Sequence, residues 1–343
     1  MRIFLAGVPG GGSSGDCRRE RELNPLWHLR LWTYYWLLAD NGKIPKKMNK
    51  VELFLDSGAF SAKSQGVSID IKEYIQFIKD NESSITVYAN LDVIGDPEAT
   101  LKNQRIMEKA GLNPLPVYHF GSDEEKYLVP LIEKYEYICL GGMVKSGNLN
   151  TYLDRLFSKY ICDEKGFPKV KVHGFGLTSI PLMVKYPWYS VDSTSWVVTG
   201  RMGSVFVPSW KNGKWNYDGA AQKISVSNKS PDKNEAGQHI DTLSPIQKRI
   251  MLQYINEKGY VLGKSEFKKE YQTYELKENE KWFEKKPADK NAKRIVEIIV
   301  EPGVSNKYQL RDEMNIIFFL DLEKSMPKWP WAFKTEKVQT GFF

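Results

Sequence analysis

Seven short apolar runs, all before residue 200 and each ending in a polar residue or glycine, constrain this chain most. They are residues 2–6, Val51–Leu55, Ile85–Leu91, Leu115–Tyr118, Tyr137–Leu140, Val170–Val172 and the apolar lead-in to Asp192. Their length and β-branched or aromatic content predict strands. Between them lie segments with helical period. These are the Leu-, Trp- and Tyr-rich residues 24–40, a face of Ile71, Tyr74, Ile75 and Ile78, then Pro97–Gly111, 123–135, 150–161 and 179–185. Strands alternating with helices at this pitch predict an α/β fold with a parallel sheet. Seven such units with chain to spare predict a closed (β/α)8 TIM barrel. Active sites of such barrels lie at the C-terminal strand ends. Asp56, Asp92, His119, Gly141, Gly142, Gly174 and Asp192 are all expected there.

After Trp196 the pattern changes. Val205–Pro208 and Ile224–Val226 flank the turn Lys211–Lys214 and predict a small β insertion after strand 7, at about residues 203–240. The amphipathic stretch Ser244–Lys258 is expected to be the last barrel helix, closing a domain over residues 1–262. Residues 263–343 read as a basic C-terminal extension packed on that barrel. It is expected to be helical across 265–295, with a strand at Ile316–Leu320, and it runs on through Pro327–Phe333.

Charge divides the chain. The net charge is +7, residues 1–150 are near neutral, and residues 151–343 hold the excess of about +8. A basic second half fits a polyanion such as nucleic acid, although on charge alone a solvated lysine-rich surface is the better reading. Cys17, Cys139 and Cys162 are scattered without a Cys-x-x-Cys pair, which argues against a disulfide framework and fits a reducing cytoplasm. The first apolar run is too short for a signal peptide, and no run approaches the roughly 18–20 residues that span a bilayer. A soluble cytoplasmic protein is expected. Gly7 and Gly12 have the spacing of a phosphate-binding loop. Ser13 stands where that loop needs lysine, so a flexible strand-to-helix loop is the better reading.

Aspartates gathered at barrel strand ends suit chemistry at a glycosidic carbon. One carboxylate meets the positive charge developing at the anomeric carbon, and an acid protonates the departing group. Asp192 and Asp56 are candidates for those two roles. Asp92 suits the ring N–H and exocyclic amine of a guanine, which one carboxylate can accept together. Adjacent glycines at 141 and 142 let backbone N–H groups approach a planar base. Each aspartate alone reads as well as a turn cap; their joint placement favours a site.

The motif Asp56-Ser57-Gly58-Ala59-Phe60-Ser61 resembles the Asp-Ser-Gly-Gly-Phe-Gln motif of the tRNA-guanine transglycosylases. The order that follows is similar too: Asp92, the Gly141-Gly142 turn, His173-Gly174-Phe175-Gly176, Asp192, and Arg201-Met202-Gly203 before a hairpin. This similarity spans roughly residues 2–262. It implies that Asp192 is the nucleophile at C1′ of a target nucleoside and Asp56 the general acid/base. It also implies that Ser57, Asp92, His119, Gly141, Gly142 and Gly174 hold the base, with Tyr118 the alternative counterpart to His119.

The tRNA enzymes carry a zinc site between hairpin and closing helix. Here Ser225–Thr242 has no cysteine and only His239, so no zinc and no other cofactor is expected. The zinc-free form resembles the phage DNA-guanine transglycosylases, which insert 7-deazaguanine bases into DNA and protect it from restriction nucleases. The implied partners are DNA and a free 7-deazaguanine base, with no membrane, in a monomer or homodimer. The alternatives are the same exchange on tRNA, a non-catalytic nucleic-acid-binding barrel, or a hydrolase of N-glycosidic bonds. A duplex target would have to be unstacked at a cost of a few kcal/mol. Arg201, Lys211 and Lys214 are candidates to grip phosphates, and Trp196 or Trp210 to fill the gap.

Overall fold

The computed structural model describes residues 1–7, 29–34, 52–143, 149–177, 179–217, 221–230, 234–289 and 291–333. The glycine-rich loop after Gly7, most of the segment 24–40 and Cys17 lie outside the described residues. The chain divides into two compact units, Met1–Thr194 with Leu320–Phe343, and Ser195–Phe319. The expected boundary at 262/263 falls inside the second unit. No described helix is long and apolar enough to cross a membrane.

The first unit is mixed α/β, built on a parallel sheet. Its strands are β1 (Arg2–Ala6), β2 (Leu29–Thr33), β3 (Glu52–Asp56), β4 (Val87–Tyr88), β5 (Val117–His119), β6 (Tyr137–Gly141), β7 (Lys171–Gly174) and β8 (Ser190–Ser193). Their order is β4-β3-β2-β1-β8-β7-β6-β5, and each neighbouring pair in it is parallel. An isolated parallel bridge joins Ala89, just after β4, to Leu115, just before β5, with Asn90 N donating to Leu115 O and Leu115 N to Tyr88 O.

Side-chain alternation sorts each strand into two layers. Phe4, Ala6, Leu31, Phe54, Ala89, Leu115, Val117 and Cys139 pack together on one side of the sheet. Leu55 and Leu91 pack on the other with Tyr74, Ile75 and Ile78 of α2 (Ile71–Asp80) and Met107 of α3 (Pro97–Lys109). The short α1 (Ala59–Ser64) precedes them. The period of two therefore sets Asp56 on the side of Phe54, and pairs Asp192 in register with Phe4. Helix α2 buries the face that its spacing predicts, and Asp70 caps it by accepting from Lys72 N and Glu73 N. Among the described residues this unit also has the α-helices α4 (Val129–Lys134), α5 (Leu149–Leu156) and α6 (Ile180–Lys185).

Four sequence expectations are corrected. Leu29–Thr33, expected inside a helix, is strand β2, because its backbone pairs in parallel with β1 on one side and β3 on the other. Asp192 consequently lies on the eighth strand, so the β insertion follows strand 8 rather than 7. Residues 265–295 are not helical. They form β13 (Lys264–Tyr271), β14 (Glu280–Trp282) and the start of β15 (Lys293–Glu301), an antiparallel sheet in the order β13-β15-β14. Charge-rich strands hold there because opposite charges pair across them, as Lys268 with Glu280 and Lys281 with Glu297. Ile316–Leu320 is no strand but part of helix α9 (Tyr308–Ser325), where Met314, Ile316, Phe318, Phe319 and Leu322 are all buried.

The other elements of the second unit are α7 (Ser195–Arg201), the antiparallel pair β9 (Ser204–Val207) and β12 (Gln222–Ser225), the hairpin β10 (Ser209–Lys211) and β11 (Lys214–Asn216), and α8 (Pro245–Glu257). The hairpin insertion is as expected. Helix α8 forms where expected too, but it belongs to the second unit, packing Met251, Tyr254 and Ile255 on Val205, Val207 and Ile224. Asn315 completes this core, accepting from Phe206 N and donating to Trp196 O.

Candidate active site

A cavity of about 700 Å³ opens at the C-terminal strand ends of the first unit. Its walls include Asp56, Asp92, His119, Gly141, Gly142 and Asp192. Six of the eight residues expected to bind or react with substrate are thus brought together. The size suits a small planar molecule with room for a second group.

Asp56 ends β3 and keeps part of its surface open to the cavity. Gly58 N donates to its Oδ2 at 3.1 Å from a turn with φ of 79°, a conformation natural to glycine. Burial, followed by the charges of Asp92 and Asp192, pushes the Asp56 carboxyl up to about 8. It therefore holds a proton at neutral pH beside two other carboxyl groups.

Asp92 is held from both sides. Ser57 Oγ donates to Oδ1 at 2.9 Å, and His119 Nε2 lies 2.8 Å from Oδ2. The His119 ring in turn lies over Gly141, where an added Cβ would stand 3.0 Å from His119 Cδ2. Gly142 turns with φ of 78° beside Phe120.

Asp192 is 6% exposed. Its Oδ1 accepts from Gly176 N at 2.8 Å and faces His173 Nε2 at 3.3 Å. No hydrogen bond engages Oδ2 among the described residues. His173 is fully buried, its ring 4.4 Å from that of Phe54 and 4.7 Å from that of Phe175. Burial lowers its pKa against the opposing pull of Asp192, which keeps the ring neutral.

Ser57 and Gly174 are not in the cavity wall. Ser57 is fully buried and spends its hydroxyl on Asp92 and Ala59 N. Gly174 packs against Trp188, which leaves 3.1 Å for a Cβ. Tyr118 turns away, donating to Ser122 O and meeting Tyr152 Oη, so His119 is the one that lines the cavity. Arg201, Lys211 and Lys214 are exposed in the second unit. Trp196 is fully buried and so cannot stack on a base, whereas Trp210 is half-buried against Trp215. His239 is a core residue, accepting from Asp241 N and facing Ser227 O. Among the described residues no three His, Cys, Asp or Glu side chains gather to hold a metal.

Sequence reasoning missed Phe175 and Gly176, which line the cavity, and His173 and Ser190 beneath it. The run His173-Gly174-Phe175-Gly176 carried a signal, since a strand ending in histidine among glycines needs a reason. No protein-family model, curated protein or solved structure matches this chain.

Proposed function

We propose that the protein is a DNA-guanine transglycosylase on a closed (β/α)8 barrel. The observation that carries the reading is that Asp56 and Asp192 share one cavity, with no described residue bonded to Asp192 Oδ2 and with burial and the two neighbouring carboxyl groups pushing Asp56 towards its protonated form. Barrel closure is supported by the Ala89–Leu115 bridge beside the outer strands of an eight-stranded parallel order. In the first half-reaction Asp192 Oδ2 attacks C1′ of the target nucleoside. The C1′–N9 bond breaks, its electron pair leaves with guanine, and Asp56 gives guanine a proton. The sugar remains as an ester of Asp192. In the second half-reaction Asp56, now a carboxylate, takes the N9 proton of an incoming 7-deazaguanine base. That nitrogen attacks C1′ and Asp192 departs.

Asp92 has lone pairs left on both oxygens for the N–H groups of a base, with His119 and Ser57 fixing its orientation. The zinc-free resemblance and the basic second half favour DNA, with Arg201, Lys211 and Lys214 as phosphate contacts. The biological role would be modification of phage DNA against restriction in a host cytoplasm.

Incubating the protein with labelled guanine and duplex DNA or tRNA tests the substrate. Label in DNA is expected; label in tRNA alone overturns the DNA reading. Free guanine released without any incorporation makes the enzyme a hydrolase.

A further inference from the structure

We infer that Tyr137, Ser190 and His173 form a polarised hydrogen-bond relay that positions Asp192 and holds it ready to leave the sugar. This inference rests on the reading of Asp192 as the nucleophile. Three neighbouring strands build the relay. Tyr137 begins β6, His173 sits in β7 and Ser190 begins β8, with His173 and Ser190 paired in register. Tyr137 Oη lies 2.5 Å from Ser190 Oγ, which lies 2.6 Å from His173 Nδ1; His173 Nε2 then lies 3.3 Å from Asp192 Oδ1.

The chemistry permits one direction for the protons. A carboxylate only accepts, so a neutral His173 facing it must carry its proton on Nε2. Nδ1 is then an acceptor and takes the Ser190 hydroxyl proton. That leaves the Ser190 oxygen to accept from Tyr137, whose hydroxyl ends the chain as a donor. Every donor points towards Asp192. His173 and Ser190 are fully buried, out of reach of bulk solvent.

Gly176 N and His173 Nε2 therefore converge on Oδ1 and leave Oδ2 to form the ester. While the ester exists, Oδ1 is its carbonyl oxygen. As the incoming base displaces Asp192, negative charge returns to that oxygen and the two donors meet it. His173 is a positioning residue, acting on the sugar only through Asp192, and Ser190 sets its tautomer. The relay should speed the second half-reaction more than base binding.

Ser190→Ala and Tyr137→Phe each remove one hydroxyl and add no bulk. In the base-exchange assay Ser190→Ala is expected to lower kcat about 10- to 100-fold, with KM for the base within twofold of wild type. The covalent adduct seen after denaturing quench should rise. Tyr137→Phe should fall between. Unchanged kcat in Ser190→Ala, or a loss carried by KM, overturns the relay; matched melting temperatures show that the fold is intact. A second readout needs no activity. ¹⁵N spectra of histidine-labelled protein, with the His173 signals assigned by their loss in His173→Gln, should show His173 neutral and protonated at Nε2; that signature should change in Ser190→Ala, while His239, which accepts from Asp241 N at Nδ1, should keep its own. A wild-type His173 protonated at Nδ1 overturns the relay whatever the enzyme does. If wild type exchanges no base but the Nε2 tautomer is found, the proposed function fails while the relay geometry stands.

Discussion

Asp56 stands beside two other carboxyl groups, and both burial and their charge favour its neutral form up to about pH 8. The raised pKa serves activity and costs stability, and both decline as pH rises. Asp56 must give up a proton in the first half-reaction, so single-turnover cleavage at saturating DNA should fall as pH rises through about 8. For stability, the folded pKa lies above the ordinary 3.8. Below about pH 4 both folded and unfolded chains hold the proton and nothing is lost. Between about pH 4 and 8 the unfolded chain ionises while the folded one does not, so stability declines across that window. Asp56→Asn should accordingly abolish exchange yet stabilise the protein at pH 8, by about 1–3 kcal/mol after allowance for its partial exposure. At pH 4 the gain should vanish. Calorimetry at the two pH values checks this, and an equal gain at both would refute the assignment of the proton. Asp192→Asn should lower exchange by on the order of 10³-fold or more and leave no covalent adduct on a denaturing gel. An adduct in that variant would move the nucleophile elsewhere.

Strand ends carry the site, and the clearest test at that scale is Gly141 at the end of β6. A methyl there meets the His119 ring at 3.0 Å, so Gly141→Ala should tilt the ring away from Asp92. KM for the base should rise about tenfold, worth about 1.4 kcal/mol, with kcat little changed. A variant with wild-type KM would remove His119 from the base site. These strand ends were legible from sequence because β-strands with a buried sheet on both sides read as compact apolar runs, and Asp56, Asp92, His119 and Asp192 interrupt them visibly. The relay was not legible. Tyr137, Ser190 and His173 meet only through the register of β6, β7 and β8, which no local pattern encodes. Strand β2 was hidden for another reason. Leu29–Thr33 sits in a long Leu- and Trp-rich stretch, where a short apolar run looks alike in a strand or a buried helix. The same ambiguity turned Ile316–Leu320, a buried stretch of α9, into an expected strand.

At the scale of the whole molecule, the structure changes what the end of the chain does. From sequence, residues 263–343 look like an appendage to a finished barrel. In the structure the first unit is completed by residues from Leu320 onwards. Glu323 accepts from Ile3 N at 3.3 Å, tying the helix end to β1. Trp329 Nε1 donates to Pro187 O at 3.1 Å and its ring meets Tyr189 just before β8. Phe333 N donates to Gly166 O, and its ring packs against Phe157 and Tyr186. These contacts brace β1 and β8, the strand that carries Asp192. A chain truncated after residue 262, the boundary expected from sequence, should therefore lose the fold of the first unit and with it all base exchange. Phe333→Ala is the milder version, since it removes one ring that is 6% exposed. It should cost about 3–5 kcal/mol of stability, while any protein that stays folded keeps its KM for the base. Chemical denaturation of the point variant and expression of the truncated chain check the two together. A soluble 1–262 fragment that melts like the full chain and still exchanges guanine would return the C-terminal segment to the status of an appendage.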